Sequence, residues 1–165
     1  MDEIIERWIR INKSKIFNDL KLKASEIIES DLKTVDKLND LCKLLKNNIY
    51  YYNWVGVYLV DKQMPNELVL ISHYGESTEH VRIPFGRGIC GQAAVLKKSL
   101  IVQDVKKESN YLPCSEKVKS EIVVPIFRKK EIIAELDIDS HIVSPFTLDD
   151  DIFLKEIAKM ASKIL

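Results

Sequence analysis

The spacing of apolar residues changes twice along this chain, and that change limits the available folds more than any other feature. Up to Ile49 the pattern is helical: Leu38, Leu41, Cys42, Leu45 and Ile49 fall on one stripe of a helix. Ile4, Ile5, Trp8 and Ile9, then Ile16, Phe17, Leu20, Ala24, Ile27 and Ile28, repeat at the same spacing, with a break expected at 12–15. From Asn53 the period shortens. NWVGVYLV (53–60) and ELVLIS (67–72) are β-branched and aromatic runs, and the DKQMPN between them carries Pro65 and Asn66, which reads as a hairpin. Arg82–Pro84 follows, then GRGICG (86–91), which opens a short helix ending near Lys97 and Lys98. A short strand at 99–105, a loop at 106–119 and two strands at 120–127 and 131–140 complete this stretch. A helical stripe then returns at Phe153, Ile157, Met160, Ala161 and Ile164, entered through Thr147 and Asp150 at capping-box spacing. The order predicts an α+β fold: a central, mostly antiparallel sheet with N- and C-terminal helices packed on one face. It is expected to form one domain over 1–165, with helices at 1–50, sheet and site loops at 53–140, and the closing helix at 147–165.

Charge removes several classes of partner. Lysine plus arginine number 25 and aspartate plus glutamate 25, so no positive excess drives binding to nucleic acid. The basic stretches at Lys106-Lys107 and Arg128–Lys130 read as solvated surface. An acidic start, Met1-Asp2-Glu3, with no long apolar run after it predicts neither export nor a membrane span, and a cytoplasmic location. Three widely spaced cysteines are not a disulfide framework, so each is either packing or chemistry.

Cys42 lies on a helical stripe and reads as a core thiol. Cys90 and Cys114 sit in irregular segments. Cys90 follows Gly86-Arg87-Gly88 at a helix start, where the helix dipole and Arg87 favour a thiolate; Cys114 follows Pro113 in the long loop, with Lys117 nearby. Two buried small residues remain the bland alternative. The strand at 131–140 splits into an apolar face (Ile132, Ala134, Leu136, Ile138) and an acidic one (Glu135, Asp137, Asp139), which Glu121 on the neighbouring strand can join. Such a cluster is tolerated when it faces water, when it faces a bound cation such as a metal or a ligand's ammonium group, or when it is partly protonated. No CxxC, HxH or HExxH spacing occurs, so no metal site is expected. The glycines lack a following Gly-Lys-Ser/Thr or dinucleotide pattern, so no phosphate-binding cofactor is expected either. His73, His80 and His141 belong to no nucleophile-elbow pattern.

In order, NWVGVYLV, VRIPFGRGICGQAA (81–94), NYLPCS, SEIVVPI (120–126), ELDIDS (135–140) and Phe146-Thr147 resemble the free methionine-(R)-sulfoxide reductases, which are single GAF domains. The resemblance runs from about Asn53 to the C-terminus. It implies that Cys114 is the catalytic cysteine, attacking the sulfoxide sulfur, releasing methionine and becoming a sulfenic acid. It implies that Cys90 is a second redox cysteine, that Glu121, Asp137 and Asp139 hold the substrate ammonium and help protonate the sulfoxide oxygen, and that Trp54 and Tyr58 border the methyl end. Free methionine sulfoxide, thioredoxin or a similar dithiol, and a second copy in a homodimer are the partners it implies. The sequence departs from the family at His80, which stands where a further cysteine usually precedes VRIP, and at the acidic Glu135 beside LDIDS. Cys90 or an outside thiol would then resolve the sulfenic acid. A non-catalytic, small-molecule-binding GAF sensor and a thiol redox switch are the alternatives.

Overall fold

The computed structural model describes residues 3–112 and 115–165, with side chains from residue 12 onward. Two helices come first, α1 (Glu3–Glu29) and α2 (Thr34–Asn48). Strands β1 (Trp54–Val60), β2 (Glu67–Tyr74) and β3 (Arg82–Pro84) follow, then helix α3 (Gly88–Leu96) and strand β4 (Leu100–Val102). After a 3-10 turn at Val105–Lys107 come β5 (Ser120–Arg128), β6 (Glu131–Ser140) and α4 (Leu148–Ala161). The strands form one sheet in the order β3-β2-β1-β6-β5-β4, and every neighbouring pair is antiparallel. This is the α+β architecture expected from the change of period. The hairpin between β1 and β2 and the tight turn between β5 and β6 also lie where the sequence puts them.

The break expected at 12–15 does not occur, because α1 runs through without interruption. NKSK holds no glycine or proline, so continuing the helix there costs only tenths of a kcal/mol per residue, roughly. Tertiary contacts outweigh that cost: Phe17 stacks on Phe153 with centroids 4.2 Å apart, and Lys13 reaches Asp150 at 2.5 Å.

Each face of the sheet has its own core. α2 lies against β1 and β2, α4 against β5 and β6, and α1 packs along both helices. Their apolar stripes meet Val55, Val57, Ile122, Val124, Ile126, Ala134, Leu136 and Ile138. On the opposite face α3 packs against β3, β4, β5 and β6, in a cluster with Trp54, Tyr58, Leu68 and Val123. The sheet is therefore covered on both sides, and the residues beneath α3 are enclosed. Among the described residues, no helix is long and apolar enough to cross a membrane.

One buried polar group ties the helical layer together. Asp150 is fully buried at the start of α4, where it accepts from the Thr147 backbone N–H at 2.7 Å, completing the capping box. The same carboxylate accepts from the hydroxyls of Tyr51 at 2.6 Å and Tyr52 at 3.0 Å, and from the Lys13 ammonium.

Candidate active site

Cross-strand pairing assembles the acidic face. Residues opposite each other in an antiparallel pair point to the same side of a sheet. Trp54 pairs with Asp139, Gly56 with Asp137 and Tyr58 with Glu135. On the other flank of β6, Glu121 pairs with Asp139 and Val123 with Asp137. Glu121, Glu135, Asp137 and Asp139 therefore share the α3 side of the sheet with Trp54 and Tyr58, and each carboxylate is at most 4% exposed. Of the readings open for this acidic face, the structure excludes a solvated one.

Two glycines make room for the neighbours of this cluster. A Cβ on Gly56 would stand 2.2 Å from Cη2 of Trp54, so the indole lies flat over the strand only because that position has no side chain. A Cβ on Gly91 would stand 2.5 Å from the Pro84 carbonyl oxygen, so α3 sits against β3 only with glycine there. That close approach directs Cys90, in the first turn of α3, at the acidic face: its Sγ is 3.9 Å from Glu121 Oε1. Cys90 is buried in the first turn of α3, and the neighbours its thiol meets include carboxylates, where the sequence suggested the helix start and Arg87.

The cluster carries more potential charge than a buried site can hold ionised. Burial first, and then the adjoining carboxylates, push Glu121, Glu135 and Asp139 well above the usual carboxyl range. Asp137 is pushed up to about 7 by burial, offset in part by hydrogen bonds from Cys90 and Glu121. Both oxygens of Glu135 and of Asp139, and Oδ1 of Asp137, are buried without a hydrogen-bond partner of normal geometry. These shifts set a sign for stability. Folded carboxyls with raised pKa hold protons that unfolded ones release, so stability is fullest near their ordinary values and falls as pH rises through about 7. The thermal midpoint of the ligand-free protein is expected to fall between about pH 5 and pH 8. Asp137→Asn should flatten that slope, which a scanning-fluorimetry pH series would measure. A midpoint that climbs with pH in both proteins would mean the cluster is not protonated.

A loop closes over the Trp54 end. The Trp54 indole N–H donates to the Glu76 carbonyl at 2.9 Å, and the Tyr58 hydroxyl donates to the His80 carbonyl at 2.9 Å. Glu76 also forms an ion pair with Lys117, which clasps the 75–81 segment to the chain just before β5. His73 stacks on Trp54 with centroids 5.6 Å apart. Two narrow cavities border the acidic face. One is lined by Cys90, Glu121, Asp137 and Leu112, the other by Trp54, Glu76, Ser115, Asp139 and His141. Each has room for about one water-sized group. Burial holds His141 below the usual imidazole range.

Of the residues singled out in the sequence, Cys90, Trp54, Tyr58, Glu121, Asp137 and Asp139 thus lie on one side of the sheet. Cys114 lies outside the described residues, while Leu112 and Ser115, on either side of it, line the two cavities. Cys42 belongs to the other core: it is fully buried, accepts from Ser72 at 3.7 Å, and is pushed up to about 12 by burial. The Glu76–Lys117 clasp and the His73 stack had no signal in the spacing. Gly56 did, since a glycine in mid-strand marks a close approach.

The GAF domain profile matches residues 34–165. The chain is 32% identical over 158 residues to the free methionine-R-sulfoxide reductase of Saccharomyces cerevisiae, covering 93% of this chain and 87% of that one. Its fold is similar to free methionine-R-sulfoxide reductase from Neisseria meningitidis in complex with its substrate, at 34% identity and a TM-score of 0.84, covering 90% and 87%. It is also similar to fRMsr of Staphylococcus aureus in complex with substrate, at 37% identity and a TM-score of 0.81, covering 90% and 95%.

Proposed function

The chain belongs to the GAF domain family, alongside free methionine-R-sulfoxide reductases, and from that premise we propose that it is itself an oxidoreductase that reduces free methionine-(R)-sulfoxide to methionine. The observation that carries this reading is the buried acidic face beside Cys90, whose unpartnered oxygens suit a small ligand bearing a cation. Free methionine sulfoxide has an α-ammonium group, which a peptide-bound methionine sulfoxide lacks. Glu121, Asp137 and Asp139 would take that ammonium, and a carboxyl that stays protonated near neutral pH would hydrogen-bond the sulfoxide oxygen. Trp54 and Tyr58 would border the methyl end.

In this reading the Cys114 thiolate attacks the sulfoxide sulfur while the oxygen takes up a proton. The sulfur–oxygen bond breaks, methionine leaves with its sulfur reduced, and Cys114 is oxidised to a sulfenic acid. Attack by Cys90 on that sulfenic sulfur forms a disulfide and releases water. Thioredoxin or a similar dithiol then reduces the disulfide, which requires a compartment that keeps thiols reduced. Each cavity is too small for a whole amino acid, so in this reading the site opens, with the 75–81 segment releasing Lys117, to admit the substrate. A second reading, a binding domain without chemistry, is favoured by His80, which occupies the place of a cysteine usual among similar proteins.

The deciding experiment is consumption of racemic free methionine sulfoxide with dithiothreitol, with the two diastereomers resolved by chromatography. Loss of the R form alone, with a methionine-sulfoxide peptide left intact, is the expected result. Ligand binding without turnover would move the assignment to the binding domain.

A further inference from the structure

We propose that Cys90, Glu121 and Asp137, with Glu135 as a fourth donor, form a site for a thiophilic divalent cation of the zinc type. One ligand atom from each of the first three residues lies within 4.8 Å of the others, and all three side chains are buried. Tetrahedral zinc, with bonds of roughly 2.0–2.3 Å, holds its ligand atoms about 3.3–3.8 Å apart, so rotamer adjustments of about 1 Å bring these three donors into place, while Glu135 lies outside their grouping and needs a larger side-chain turn to join them. Glu135 adds an independent observation. It is fully buried on the same face and in contact with Cys90, and neither of its oxygens has a hydrogen-bond partner of normal geometry.

The donor set selects the metal. Magnesium and calcium prefer six or more oxygens and gain nothing from a thiol, whereas a sulfur with two or three carboxylates suits zinc or cadmium. The cavity among these side chains, with room for about one water-sized group, fits an ion better than a larger ligand. On binding, the Cys90 proton and any protons held by the carboxyls pass to solvent, and the cation offsets charge that the buried cluster otherwise avoids by protonation. No change of oxidation state is involved. If the reading above holds, the metal also occupies carboxylates assigned to the substrate ammonium, so zinc and methionine sulfoxide exclude each other and zinc competitively inhibits the reductase.

The test is a titration of the fully reduced protein with cadmium chloride, read by the ultraviolet cadmium–thiolate absorption band. It is run in a Cys114→Ser background so that the loop thiol does not contribute. One equivalent of cadmium should produce the band, Cys90→Ser should remove it, and Glu135→Gln should weaken binding about 10-fold or more. A band that survives Cys90→Ser, or the same affinity in Glu135→Gln, would overturn the proposal. Glu135→Gln keeps the test decisive where Cys90→Ser fails to fold, because it is nearly isosteric. This readout needs no turnover, so it stands or falls apart from the reductase assignment. Zinc raising KM without lowering kcat then tests the competition separately.

Discussion

Cys114→Ser is expected to lower turnover of free methionine-(R)-sulfoxide by about 10³-fold or more, while leaving methionine binding within a few-fold of wild type. Serine keeps the size and the hydrogen bond, but its hydroxyl is not ionised at neutral pH and cannot be oxidised to an analogue of the sulfenic acid. Both halves of the cycle fail together, so the loss should appear in kcat. Cys90→Ser separates the roles. Its sulfenic acid remains open to an outside thiol, so activity with dithiothreitol should persist while activity with thioredoxin falls. Single-turnover release of methionine checks the assignment: unchanged release in Cys114→Ser and none in Cys90→Ser would make Cys90 the nucleophile.

Asp150→Ala is expected to be the most destabilising substitution in the helical layer, by about 3–5 kcal/mol, the cost of breaking a buried, hydrogen-bonded ion pair. The carboxylate holds Lys13 from α1, Tyr51 and Tyr52 from the segment before β1, and the Thr147 N–H at the start of α4. With alanine there, Lys13 can turn its ammonium toward solvent, but the buried Tyr52 hydroxyl cannot. For a domain of this size the thermal midpoint should drop by about 10 °C or more. Asp150→Asn, which keeps an acceptor but loses the charge, should fall between the two. A shift of only a degree or two for Asp150→Ala would mean that water replaces the carboxylate without penalty. The capping-box spacing of Thr147 and Asp150 was visible in the sequence, and it accounts for only one of the four partners.

The site was legible wherever its information is periodic. Glu135, Asp137 and Asp139 alternate with Ala134, Leu136 and Ile138, and strand geometry alone puts the two sets on opposite faces. The helical stripe through Cys42 likewise marked a packing thiol, which the structure buries in the core beneath α2. The expected break at 12–15 failed for a physical reason. Weak helix propensity in a few polar residues is a small term, and contacts of Phe17 and Lys13 with α4 are a large one.

By itself, then, the sequence determined the element types, the two faces of each strand and the residue types available for chemistry, because those follow from local backbone geometry. Only the tertiary structure decided that the acidic face is enclosed rather than wet, since that depends on α3 covering one side of the sheet while the other helices cover the opposite side. It also decided that Cys90 meets Glu121, 31 positions away, and that Glu76 and Lys117 clasp across 41. Such pairs carry no period, because they are set by register between strands and by the close approach that Gly91 allows, and neither leaves a repeating trace along the chain.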